Sequence, residues 1–99
     1  MTSTVSYQLA DSEIPVATIT LDDGKVNVLG PAMQGAINEA LDRAEADAAK
    51  AVVLAGNSRV FSGGFDLAVF QSGDAAAAHG MLAGGFELSL RTLTFPVPV

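Results

Sequence analysis

The run Val60-Phe61-Ser62-Gly63-Gly64-Phe65-Asp66-Leu67 is the part of this chain best equipped to do chemistry through its main chain. Two adjacent glycines permit backbone conformations closed to residues with a β-carbon, and they let another molecule approach the peptide groups closely. A bend of that kind aims backbone N–H groups at an oxygen that turns negative during a reaction. Asp66, at its end, could serve as an acid catalyst or as a cap for the turn that follows. Taken alone, the run also fits a plain tight turn with Phe65 in the core.

A second candidate wall is Asp23-Gly24-Lys25-Val26-Asn27-Val28-Leu29. Its bland reading is a strand-to-helix connector with Asn27 as a turn residue. Lys25 and Arg59 lie beside the two segments, where an anionic ligand would need local bases, although solvated loop charges look the same. The single histidine, His79, has no second ligand three or four residues away, so no metal site is expected and a surface position is. Glu87 sits among apolar residues and reads as part of a solvated helix face. The glycines around Lys25 do not form a phosphate loop, and no Ser-His-Asp nucleophile set can be assembled.

These segments need elements to position them. Val5-Ser6-Tyr7-Gln8-Leu9 and Val16-Ala17-Thr18-Ile19-Thr20-Leu21 alternate apolar and polar residues, so two half-buried strands joined as a hairpin across Asp11 to Pro15 are expected. Gly30-Pro31 opens a helix, since proline is tolerated in the first turn, where its missing N–H has no partner. Met33, Ile37, Ala40, Leu41 and Ala44 give that helix one buried face, and it should stop between Asp47 and Lys50. Ala51 to Ala55 is short and apolar on both faces, as in a strand covered from two sides.

After the glycine bend, Leu67 to Phe70 begin a short helix. Ser72 or Asp74 caps a longer one, on which Leu82, Phe86, Leu90 and Leu93 keep helical spacing. Gly80, Gly84 and Gly85 weaken it by up to about 1 kcal/mol each relative to alanine, which points to close packing of another backbone, a kink or fraying. Pro96-Val97-Pro98-Val99 reads as the entry to one more strand. The order of strands and helices indicates α/β organisation.

The order strand, Ser58-Arg59-Val60-Phe61-Ser62-Gly63-Gly64-Phe65-Asp66-Leu67, apolar helix and Pro-Val-Pro-Val ending resembles the enoyl-CoA hydratase/isomerase (crotonase) superfamily. Asp23 to Leu29 is similar to that family's first substrate-contacting segment, and the likeness runs from about Val5 to Val99. It implies a ClpP/crotonase-like spiral of β-β-α units, with residues 1–99 as the N-terminal part of a single domain. By the same resemblance, the backbone N–H of Phe65 donates to the thioester carbonyl of an acyl-CoA, and the phenylalanine ring narrows the pocket or stacks on a flat acyl group. Ser62, Gly64, Asp66 and Leu67 then hold the bent CoA through main-chain groups, while Lys25, Val26 and Val28 line the CoA and acyl groove.

The implied chemistry is enolate stabilisation, with enoyl-CoA hydration leading and double-bond isomerisation as a rival. The thioester is substrate, and no permanently bound cofactor is implied. The family's second oxyanion donor and its catalytic carboxylates lie after the Pro-Val strand, so these 99 residues alone are expected not to turn over substrate. A silent acyl-CoA binder and a small interaction module are the alternatives from other classes. The intact chain is expected as a trimer or hexamer.

Composition narrows the partners. Half of the residues are hydrophobic (49%), more than a chain of this length readily buries, so surface destined to be covered is expected. The formal charge is −6 with five scattered bases, which argues against nucleic acid. No apolar run approaches the roughly 18–20 residues of a membrane span. Met1-Thr2-Ser3-Thr4 has neither a basic residue nor an apolar run, so no secretory signal is expected. The chain has no cysteine, which removes disulfides and thiolate metal sites and leaves the cytoplasm as the expected compartment.

Overall fold

A computed structural model describes residues 4–99. Strand β1 (Val5–Leu9) pairs antiparallel with β2 (Val16–Leu21), in the register Val5 with Leu21, Tyr7 with Ile19 and Leu9 with Ala17. The expected hairpin forms because both segments alternate in step. Ala17, Ile19 and Leu21 all point to one face and are fully buried there.

Helix α1 (Pro31–Ala46) covers that face with Met33, Ile37, Ala40, Leu41 and Ala44. It begins at the proline and ends where Asp47 and Ala48 turn the chain, with Ala48 at φ +54. The Ala49 N–H then bonds the Ala44 carbonyl (3.0 Å), and the Lys50 N–H reaches Pro15 (2.8 Å). These bonds deliver the chain into β3 (Ala51–Ala55), which lies parallel to β2 with Val16 opposite Ala51 and Thr20 opposite Ala55. The sheet order is β1-β2-β3.

Among the described residues, only one face of β3 is covered. Val52 is buried in the core, whereas Val53 is 46% exposed on the other side. The chain end lies along the free edge of β3, where the Val52 N–H donates to Pro98 (2.8 Å).

Helix α2 (Leu67–Gln71) is the short helix expected after the glycine bend, and α3 (Ala75–Thr94) follows with Asp74 as its cap, accepting from the Ala77 N–H (3.0 Å). Met81 and Leu88 are the buried residues of α3, while Phe86 (73%) and Leu93 (83%) face outward. The row Leu82-Phe86-Leu90-Leu93 therefore has helical spacing without being the helix's core face. A neighbouring row carries the packing.

Arg91 ties α3 to α1. Its Nη1 donates to the backbone and side-chain oxygens of Asn38 (3.1 and 2.9 Å), and its Nη2 to Asp42 (2.6 Å) and Glu45 (3.0 Å). Burial alone would lower the pKa of this guanidinium, but its two carboxylate partners raise it overall. Among the described residues, no helix is long and apolar enough to cross a membrane.

Candidate active site

The two segments singled out in the sequence run side by side. The Gly63 N–H donates to Val26 (2.6 Å), the Leu29 N–H donates to Gly64 (2.7 Å), and Val28 and Gly64 form a parallel bridge. Gly64 has φ +94, a conformation that glycine takes freely and a β-branched residue does not.

The peptide joining Gly64 to Phe65 is trans, so its C=O and N–H point in opposite directions. Leu29 holds the carbonyl, and the Phe65 N–H is thereby turned away from Leu29. Among the described residues no acceptor is bonded to it. It is an oriented donor with capacity to spare.

Ser62 serves the loop itself. Its hydroxyl donates to the Asn27 carbonyl (2.7 Å) and accepts from the Gly64 N–H (3.0 Å). Asp66 caps α2, as its spacing suggested, accepting from the Ala68 N–H (3.0 Å). A cavity of about 190 Å³ lies between the segments, lined by Asp23, Val28, Gly30, Met33 and Asp66 among others. Val26 and Leu67 are exposed, as is Lys25, whose carbonyl accepts from Asn57 Nδ2 (3.0 Å). Thus Val26, Val28, Ser62, Gly64 and Phe65 are brought together around one bridge, while Lys25 and Leu67 flank it from solvent.

Two polar residues hold the first segment in shape. Asn27 is completely buried at φ +54. Its Nδ2 donates to Leu21 (2.9 Å) and Phe61 (3.0 Å), and its Oδ1 accepts from the Asp23 N–H (2.9 Å). Asp23 gathers the N–H groups of Lys25 (2.7 Å), Asn27 (3.0 Å) and Val28 (3.2 Å) on its carboxylate. Those bonds, from Asn27 and then Lys25 foremost, hold the Asp23 carboxyl below its ordinary value. In the sequence Asp23 stands only as the first residue of the second candidate segment, with no role assigned to its side chain. The signal for its larger role is the spacing of an acid two, four and five residues ahead of the N–H groups it accepts.

The structure also accounts for the glycine pair on α3. Side chains, not another backbone, occupy the space: the ring of Phe65 lies against Gly85 and the amide of Gln34 against Gly84. The Phe65 ring is therefore packed against the helix. It also meets Phe70 edge-on, with centroids 6.3 Å apart and planes at 84°.

His79 and Glu87 are exposed. Among the described residues no group of three or more His, Asp and Glu side chains is placed to hold a metal ion.

This arrangement, a glycine bend between β3 and α2 bridged to the segment ahead of α1, is the N-terminal part of a crotonase-type α/β fold. The profile described as enoyl-CoA hydratase/isomerase matches residues 11–99, and the chain belongs to that family. Solved structures agree. A protein described as a probable enoyl-CoA hydratase from Mycobacterium tuberculosis is 55% identical, covers 98% of this chain and superimposes with a TM-score of 0.92. A second structure of that same M. tuberculosis protein, there described as an enoyl-CoA isomerase, is 52% identical over the whole chain, with a TM-score of 0.89. A family member from Pseudomonas syringae is 44% identical over 94% of the chain, with a TM-score of 0.84. The match takes in 40%, 41% and 38% of the chains in those three structures respectively, so the chain spans well under half the length of these relatives. A search of curated proteins returned no match.

Proposed function

We propose that this chain binds an acyl-CoA thioester and polarises its carbonyl through the backbone N–H of Phe65. The observation that carries the reading is the Gly64–Phe65 peptide, with its carbonyl held by Leu29 and its N–H oriented and unpartnered. In enoyl-CoA hydration, water adds to the β-carbon and the electron pair of the double bond moves toward the thioester oxygen. A proton then joins the α-carbon. A preset N–H donor stabilises the oxygen-centred charge between those steps without reorganising. Val26 and Val28 line the groove, Ser62 and Asp66 keep the bend in shape, and Lys25 and Leu67 meet the CoA at its rim.

Hydration is the leading reaction in this reading, supported by the family and by the hydratase described from M. tuberculosis. Isomerisation is the second reading, favoured by the other description of that same M. tuberculosis protein, as an isomerase. Both pass through the same enolate and use the same donor. Neither a carboxylate to activate water nor a second oxyanion donor is assigned among residues 4–99, so the role given to this chain is thioester binding. A cytoplasmic homotrimer or hexamer is the assembly that goes with this reading.

The test is the affinity for a non-reactive acyl-CoA thioester relative to free CoA, measured by calorimetry on the wild type and on Gly64→Val. Valine at φ +94 strains the backbone by about 1–3 kcal/mol and must re-aim the peptide. The thioester preference should disappear in that variant. An unchanged preference with the fold retained would sink the assignment.

A further inference from the structure

A β-carbon placed on Gly85 would stand 2.6 Å from Cε1 and 2.8 Å from Cζ of Phe65. Carbon atoms in good contact sit about 3.5–4.0 Å apart, so the ring occupies the space an alanine would need. At Gly84 the added carbon would collide with Oε1 of Gln34. Gln34 is buried, and its Nε2 donates to Leu29 (3.0 Å) and to Met81 on α3 (2.9 Å). Leu29 in turn holds the Gly64 carbonyl. Both handles on the Gly64–Phe65 peptide, the Phe65 ring and the Leu29 hydrogen bond, therefore lead to adjacent residues of one helix.

We propose that Gly85 is a positioning residue: its missing side chain is the slot that stores the Phe65 ring and so fixes where the Phe65 N–H points. This rests on the reading of that N–H as the thioester donor. The physical reason is leverage. A bulky ring attached to the donor residue must lie somewhere, and wherever it lies sets the rotation of the backbone that carries it. With the ring stored against bare helix backbone, the donor residue has bulk without obstructing the acyl group. Gln34, seated over Gly84, fixes the other end of the same peptide.

The test compares the wild-type chain with Gly85→Ala, Phe65→Ala and the double variant Phe65→Ala/Gly85→Ala. Two quantities are read: the 1H–15N amide resonance of residue 65 without ligand, and the ratio of affinities for a non-reactive acyl-CoA thioester and for free CoA. Gly85→Ala should move the Phe65 amide resonance and lower the thioester preference about five- to tenfold, the worth of one hydrogen bond. Affinity for free CoA should stay, which general destabilisation of the helix would not achieve. The double variant should match Phe65→Ala alone in both quantities, because removing the ring removes the collision.

An unmoved Phe65 amide in Gly85→Ala would overturn the proposal, as would a double variant that falls below Phe65→Ala. Should Gly85→Ala fail to fold, the comparison of Phe65→Ala with the double variant decides on the same terms. A wild type without thioester preference would refute the donor reading, while the ligand-free amide comparison would still decide the role of Gly85.

Discussion

Replacing Asn27 with alanine should be the most damaging single polar substitution near the site, and the structure gives its size. The side chain is completely buried and makes three hydrogen bonds, to the carbonyls of Leu21 and Phe61 and from the N–H of Asp23. Each is worth about 0.5–1.5 kcal/mol net, so their joint loss costs about 1.5–4.5 kcal/mol. Alanine must also hold φ near +54, which adds about 1–2 kcal/mol. The expected loss is thus about 3–6 kcal/mol, a large part of the 5–15 kcal/mol typical of a domain.

Asn27→Gly separates the two causes. It loses the same bonds but accepts the left-handed backbone, so after its greater chain entropy it should be the more stable variant by about 0.5–1 kcal/mol. Urea denaturation of the three proteins measures both differences. Because the Asn27 carbonyl accepts from Ser62, amide exchange at Gly64 should also quicken in Asn27→Ala. A loss below about 1 kcal/mol on the alanine change would refute the reasoning, since three buried bonds cannot vanish that cheaply.

Two further predictions concern pH. Asp23 has a depressed carboxyl in the folded chain, so its contribution is fully present above its unfolded value of about 3.9 and is lost as pH falls through the folded one. Denaturation midpoints should drop on acidification below about pH 4, and Asp23→Asn should lose less on the same change. Tyr7 is pushed up to about 12, first by burial and then by its hydrogen bond to Asp47 (2.7 Å) and that carboxylate's charge, with Arg43 opposing. Its raised value adds stability below about pH 10 that is lost by about pH 12. As the only tyrosine, it can be followed by the absorbance of tyrosinate, and Asp47→Asn should bring its titration down.

The hairpin and α1 were readable from the sequence because their periodicity reports directly which side chains face the core. Asn27 and Asp66 were readable as turn and cap residues because short polar side chains bond nearby N–H groups. The buried row of α3 was not, since glycines and alanines at positions 75 to 85 dilute its pattern and an equally regular row faces outward. The covering of β3 was half read: an apolar strand signals what its faces suit, not what lies on them. The meeting of Phe65 with Gly85 depends on how a loop and a helix approach across twenty residues, and no local pattern encodes that. The glycines pointed to close packing of another backbone, a kink or fraying, whereas side chains came close.

The central claim is that the Phe65 N–H bonds the thioester oxygen, and difference infrared spectroscopy on a bound acyl-CoA carrying a 13C-labelled carbonyl tests it most directly. The account predicts a carbonyl stretch lowered from its frequency in water-free solvent and returned toward that frequency in Gly64→Val. A thioester that binds with its carbonyl at the unpolarised frequency in the wild type would contradict it.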